Sequence, residues 1–196
     1  MTEPEERVRG HGPFKRVMLK LSGESMCNPG GFGIEREGVE RTAALLATCT
    51  GAGVEVAVVI GGGNLMRGAQ LSHLGITRGT GDYMGMLATA INAMALQDAL
   101  ERGGVETRIC SGLDVPKVAE SFIRRRAMRH LEKGRIVILA CGSGAPFFTT
   151  DTAAALRAIE LGADVLLKAT KVDGVFDKDP KKHDDACLIE RIGYLD

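Results

Sequence analysis

The sequence lacks a net charge, because 25 Lys and Arg residues balance 25 Asp and Glu. No global field therefore draws the chain to nucleic acid or to a membrane surface. It also lacks an apolar run of membrane-spanning length. The first 13 residues are polar rather than signal-like and are expected to form a mobile tail. Metal-ligand spacing is missing as well. Cys27, Cys49, Cys110, Cys141 and Cys187 lie far apart without a C-x-x-C pair, and the four histidines do not cluster with them. That argues against a zinc site or a disulfide framework, and for reduced thiols in a cytoplasmic protein. No Ser-His-Asp or Cys-His arrangement presents itself, and the P-loop pattern G-x-x-x-x-G-K-[ST] does not occur. The triplet Gly61-Gly62-Gly63 continues wrongly for G-x-G-x-x-G, and no acidic residue ends a following strand. A dehydrogenase is disfavoured on that ground.

What the chain does hold is 44% hydrophobic residues over 196 positions, enough for one core and one domain across residues 14–196. Apolar, β-branched runs recur at Arg16 to Leu21, Val54 to Ile60, Val105 to Cys110, Arg135 to Cys141 and Asp164 to Leu167. Helical patterns fill the gaps, over Arg36 to Thr50, Met84 to Arg102, Pro116 to Lys133 and Thr150 to Leu161. This alternation predicts an α/β fold, a mostly parallel sheet with helices on both faces. The helix from Met84 is apolar nearly all round. Leu87, Ile91, Met94 and Ala95 form one stripe, and Met86, Ala90, Ala93, Leu96 and Leu100 cover much of the rest. Such a helix is either central to the core or packs its second face on another subunit.

Much of the glycine sits just after the strand-like runs, where ligands bind in open α/β sheets. Gly142-Ser143-Gly144-Ala145-Pro146-Phe147-Phe148-Thr149-Thr150-Asp151 links a strand to a helix. Its glycines allow close backbone approach, and Thr149, Thr150 and Asp151 suit a helix start, where free N–H groups attract anions. Lys20-Leu21-Ser22-Gly23-Glu24 can set an ammonium and backbone N–H groups on a polyphosphate, unless Lys20 merely faces solvent at a strand end. Gly61 to Gly68 adds Arg67, a forked donor for phosphate oxygens. In Gly81-Asp82-Tyr83-Met84-Gly85, Asp82 can cap a helix or accept from ligand hydroxyls such as a ribose. In Lys168 to Pro180, Lys168, Thr170 and Lys171 follow a buried strand. The basic cluster Arg124 to Arg135 reads as a solvated face, and Phe147 and Phe148 as anchors into the core. Glycine turns and cations without a nucleophile–base pair suit phosphoryl transfer, which needs positioning and charge stabilisation. The residues alone thus point to a nucleotide-dependent kinase of unknown acceptor.

At these residues, from about Phe14 onward, the sequence resembles the bacterial uridylate (UMP) kinases of the amino acid kinase superfamily. Phe147-Phe148-Thr149-Thr150-Asp151 together with Lys168-Ala169-Thr170-Lys171-Val172-Asp173-Gly174-Val175-Phe176 carries the resemblance most specifically. It implies a three-layer αβα sandwich and transfer of the ATP γ-phosphate to UMP with Mg²⁺. It also implies a homohexamer activated by GTP and inhibited by UTP. Under it, Lys20, Leu21, Ser22 and Gly23 hold ATP phosphates, with Gly63, Arg67, Thr170, Phe176 and Asp179 also on ATP. UMP falls to Gly62, Asp82, Ser143, Gly144, Ala145, Pro146, Phe147, Phe148, Thr149 and Thr150. Asp151 orients the catalytic lysines, and Asn28, Pro29, Gly30, Gly31, Phe32 and Gly33 match the GTP-response segment.

Two departures accompany the resemblance. The family usually has Asn where this chain has Ala145, so altered acceptor affinity or discrimination is expected. Relatives continue for several tens of residues past the position of Asp196. The chain is therefore expected to be C-terminally incomplete, with a sheet edge and apolar surface uncovered. Two alternatives stand beside UMP kinase: a kinase of this superfamily with another small acceptor, and a nucleotide-binding oligomer without catalysis.

Overall fold

The computed structural model describes residues 14–66, 73–170 and 172–193. The expected tail at 1–13, Arg67 and Lys171 lie outside them. Strands β1 (Arg16–Leu21), β2 (Glu55–Ile60), β3 (Thr107–Ser111), β4 (Glu120–Ser121), β5 (Ile136–Ala140) and β6 (Val165–Lys168) form one sheet in the order β4-β3-β5-β2-β1-β6. Every pairing in it is parallel. Helices α1 (Arg36–Gly51) and α2 (Arg78–Arg102) cover one face, and α3 (Arg124–Glu132) and α4 (Thr150–Leu161) the other. A separate antiparallel pair joins β7 (Val175–Phe176) to β8 (Leu188–Ile189).

The period of two along each strand sorts its side chains between these faces. Val56, Val58 and Ile60 of β2 join Ile109, Ile136 and Ile138 against Val39 and Leu46 of α1 and Ala93 and Leu96 of α2. Ala57 and Val59, one position out of phase, join Met18, Val137 and Leu139 against Ala127 and Leu131 of α3 and Ala154 and Leu161 of α4. With both faces covered, no strand position on β5 is free to be polar, and all five of its residues are buried. This is the αβα sandwich expected above.

Three boundaries differ from the sequence reading. Helix α2 begins at Arg78, six residues before Met84, with Thr77 as its N-cap. Gly79, Gly81 and Gly85 depress helix propensity there, yet the segment stays helical. The expected helix from Pro116 instead starts at Arg124. Residues 120–122 are drawn into the sheet, where Cys110 pairs with Glu120 and the Phe122 N–H donates to the Ser111 carbonyl at 2.8 Å. Pairing the end of β3 overrides the local helical pattern. The expected strand from Leu188 to Ile192 keeps only Leu188–Ile189.

Helix α2 uses both of its apolar sides, though differently. Met86, Ala90, Ala93, Leu96 and Leu100 are buried on the sheet, while Leu87, Ile91 and Met94 stand 46%, 52% and 44% exposed. At the outer strand β6, Leu166 and Leu167 are also exposed. The basic cluster on α3 is matched by carboxylates: Arg126 and His130 face Glu120, and Arg135 pairs with Glu106 at 2.7 Å.

The sheet order decides where a ligand can sit. β2 and β5 are neighbours, but the chain leaves β2 through α2 on one face and leaves β5 through α4 on the other. Where crossovers diverge in this way, a crevice opens beyond the carboxyl ends of the strands.

Candidate active site

That crevice is a cleft of about 180 Å³. Its walls are Gly62 and Gly63 after β2, Gly142, Ser143, Ala145, Phe148, Thr149 and Thr150 after β5, and the N-terminal half of α2, including Asp82, Gly85 and Thr89. Close packing shapes it. A Cβ on Gly62 would lie 2.8 Å from the Gly85 carbonyl oxygen, so the β2 turn can seat on α2 only because that residue has no side chain. Gly144 has φ +81°, and a Cβ there would fall 2.3 Å from the Gly112 carbonyl oxygen. The loop after β5 therefore folds onto the end of β3 by using glycine at this position.

Helix α4 starts at the foot of the loop. Thr149 is its N-cap, its Oγ1 accepting from the Thr152 N–H at 3.1 Å. Asp151, in the first turn, is thereby left for another partner. Nor does Asp82 cap α2, since Thr77 does. Asp82 Oδ2 instead accepts from the Phe147 N–H at 2.8 Å, tying α2 to the β5 loop and holding Phe147 at φ 71°. Phe147 and Phe148 are 64% and 60% exposed. They are not the core anchors that aromatic residues beside a glycine loop are expected to be. Phe148 lines the cleft.

Register supplies the cations. β1 and β6 run parallel with Lys20 opposite Lys168, so the two side chains share a face. α4 packs on β1 and begins above them. The Asp151 carboxylate lies between the two ammonium groups, Oδ1 at 2.8 Å from Lys20 Nζ and Oδ2 at 2.7 Å from Lys168 Nζ. Desolvation pushes the Asp151 carboxyl up, but the hydrogen bonds and charges of Lys168 and Lys20 outweigh it and hold the carboxyl below its ordinary value. Two positive charges against one negative leave a net cationic edge at the strand ends.

The other expected residues fall into four places. Ser22 caps the short 3-10 turn Gly23–Met26, and Gly23 packs against the Gly61 carbonyl and the Asn64 side chain, so the ends of β1 and β2 abut. Leu21 is buried beneath them, its carbonyl accepting from the Gly61 N–H at 3.0 Å. Ser143, Ala145, Thr149 and Thr150 line the cleft with Gly62, Gly63 and Asp82, whereas Lys20, Gly144, Pro146 and Phe147 are not part of its wall. Thr170 follows β6, where its hydroxyl donates to the Val172 carbonyl; Phe176 lies in the β7–β8 pair. Asp179 is exposed and engaged in its own turn, Oδ1 accepting from the Lys181 N–H at 3.0 Å. Asn28 to Gly31 border a separate cleft of about 320 Å³ with Glu24, Cys27 and Arg41. Gly33, at the end of that segment, exchanges hydrogen bonds with Asn64.

Sequence reasoning passed over Thr89, Asn92 and the side chain of Asn64. The signal was present, since Thr89 and Asn92 are polar interruptions in an otherwise apolar helix, and both are buried. Among the described residues, no three His, Cys, Asp or Glu side chains converge to hold a metal ion. No described helix is long and apolar enough to cross a membrane.

Known proteins share this arrangement. The model of the amino acid kinase family matches residues 15–196. A uridylate kinase of Xanthomonas campestris pv. campestris is 58% identical over 181 residues, covering 92% of this chain and 75% of that protein. A uridylate kinase of Rubrobacter xylanophilus is 56% identical over 187 residues, covering 94% of this chain and 73% of that protein. The crystal structure of a UMP kinase from Bacillus anthracis superposes with a TM-score of 0.86 at 40% identity, covering 90% of this chain and 73% of that one. Similarity of that extent, running through every strand of the sheet and every segment around the cleft, places the chain in the amino acid kinase family, among its bacterial uridylate kinases.

Proposed function

We propose that this chain is a UMP kinase, moving the γ-phosphoryl group of ATP onto a phosphate oxygen of UMP to give UDP and ADP. The observation that carries the reading is the Lys20–Asp151–Lys168 cluster at adjacent strand ends beside a glycine-walled cleft. An acceptor that is itself a phosphate needs no strong base, because its oxygens are largely ionised at neutral pH. The lack of a nucleophile–base pair then fits the chemistry. The new bond forms between a UMP oxygen and the γ-phosphorus, the bond to the bridging β–γ oxygen breaks, and ADP leaves with the electron pair. Lys20, paired to Asp151 and largely shielded from solvent, faces the transferring group and offsets charge on its oxygens.

In this reading UMP occupies the cleft, with Gly62 against it, Asp82 toward its ribose and the Ser143–Thr150 loop around its phosphate. The N-terminus of α4 adds a favourable dipole. ATP lies along Lys20, Leu21, Ser22, Gly23 and Gly63, with Arg67, Thr170, Phe176 and Asp179 toward it. Mg²⁺ enters as part of the ATP substrate, held by phosphate oxygens and water, and such an ion needs no all-protein cage. The purified chain should release ADP from ATP in a UMP-dependent manner, faster than with CMP, glutamate or acetylglutamate in a coupled assay. Equal rates across these acceptors would overturn the assignment to UMP. The same panel tests Ala145, which stands on the cleft wall where the family's usual Asn would offer a polar side chain.

The proposal extends to a homohexamer in the cytoplasm serving pyrimidine nucleotide synthesis, activated by GTP through residues 28–33 and inhibited by UTP. The exposed stripe Leu87, Ile91 and Met94 on α2 supports self-association, since burying such side chains is worth roughly 1.5–3 kcal/mol each. Sedimentation velocity should show an oligomer that Ile91→Asp dissociates. A wild-type monomer at micromolar concentration would remove this part of the reading.

A further inference from the structure

We propose that Thr89 is a positioning residue for the phosphoryl transfer, acting through the backbone of Cys141. The inference rests on the kinase reading above and deepens it. Helix α2 buries two polar side chains, Thr89 and Asn92, within its apolar surface, at 2% and 0% exposure. Each is committed to a strand end. Asn92 Nδ2 donates to the Gly61 carbonyl at 2.8 Å and to Asn64 Oδ1 at 2.7 Å, and Asn64 Nδ2 returns a bond to Asn92 Oδ1 at 3.0 Å. This pair fixes the turn after β2. Thr89 Oγ1 accepts from the Cys141 N–H at 2.7 Å and donates to the Met86 carbonyl at 2.7 Å. That fixes the exit from β5.

The two residues are three positions apart, hence neighbours on one side of the helix. One rigid element therefore holds the end of β2 with one side chain and the end of β5 with the other. Thr89 lines the cleft, but its hydroxyl hydrogen is committed to Met86 and one of its two lone pairs to Cys141, so it has no donor left for a phosphate oxygen and acts on the loop.

Cys141 makes this hold consequential. It has φ 58° and is followed by Gly142 at φ 56°. A non-glycine residue in the left-handed region is disfavoured and persists only where its surroundings dictate it. This left-handed pair turns the chain sharply from β5 into the 142–150 loop. Thr89 and Asn92 together thus set the distance between the glycine turn and the loop that the kinase reading gives to UMP. In-line transfer between two bound nucleotides is sensitive to that distance, whereas each nucleotide's own contacts lie on other residues.

Thr89→Val keeps the shape and removes the hydroxyl, while Thr89→Ser keeps the hydroxyl. Thr89→Val should lower kcat for UMP phosphorylation by about tenfold to a hundredfold, with KM for UMP and ATP within about threefold of wild type. Thr89→Ser should retain kcat to within about threefold. Amide exchange at Cys141, followed by NMR, should quicken in Thr89→Val and not in Thr89→Ser. Where Thr89→Val does not fold, Thr89→Ala, which relieves packing and favours helix, carries the same expectation. Normal kcat in the hydroxyl-free variant, or equal losses in both variants, would overturn the role. A wild-type chain that does not phosphorylate UMP counts against the kinase reading, while exchange at Cys141 still decides whether Thr89 holds the strand end.

Discussion

Asp151→Asn should lower kcat for UMP phosphorylation by about a hundredfold or more while leaving the fold intact. The carboxylate bridges Lys20 and Lys168 at 2.8 and 2.7 Å, so it is the group that lets two ammonium ions stand side by side. Asn keeps the shape but presents an amide, which cannot neutralise either cation. Uncompensated, like charges about 4 Å apart repel by roughly 1–4 kcal/mol at surface dielectrics, enough to move both side chains away from the phosphoryl path. The helix itself keeps its cap, because Thr149 supplies it. Circular dichroism should therefore be unchanged, and turnover near that of wild type would remove Asp151 from the mechanism. The pH dependence has a definite sign. A carboxyl held below its ordinary value of 3.8 is ionised in the fold throughout the range above it. Its pairing is lost only as pH falls through that lowered value. Any loss of activity between pH 8 and 5 belongs to other groups.

Lys20→Ala should cost more, about a thousandfold in kcat, the scale seen when a cation facing a transferring phosphoryl group is removed. Lys168 cannot replace it. Its side chain is 54% exposed, whereas that of Lys20 is 13% exposed, so solvent screens Lys168 far more. Removing Lys20 should leave the strand in place, because the buried residues of β1 are Met18 and Leu21. The expected signature is a fall in kcat with a small change in ATP KM, the mark of an interaction made in the transition state. A variant that instead raised ATP KM at unchanged kcat would make Lys20 a binding group only.

How much of this was legible in the sequence varies by element. β5 was plain, because Ile136 to Ala140 is apolar at every position, as a strand buried on both faces must be. α4 was plain as well, with Thr149 to start it and Gly162, at φ 64°, to end it. The start of α2 was hidden by three glycines, Gly79, Gly81 and Gly85, whose low helix propensity masks the first turns that Thr77 caps. The segment 116–123 misled in the opposite direction. Its helical pattern gave way to pairing with the end of the preceding strand β3, Cys110 opposite Glu120, a contact that helical periodicity does not report. In the site, Lys20 stood out as a lysine in an apolar run, and the glycine turns as loops at strand ends. Asp82 did not reveal whether it capped a helix. Its actual partner, the Phe147 N–H, is 65 residues away.

The sequence by itself determined that strands alternate with helices, that the sheet is parallel and buried on both faces, and that glycine and lysine gather at the strand ends. All of these are local: periodicity, branching at Cβ and turn residues are written within a few positions. Only the tertiary structure decided that β5 lies between β3 and β2, which puts the Gly62 turn and the Gly142–Thr150 loop on one cleft. It alone set Lys20 beside Lys168, with Asp151 between them. Strand order and register arise from crossovers and packing across more than a hundred residues, and no short stretch of sequence encodes them.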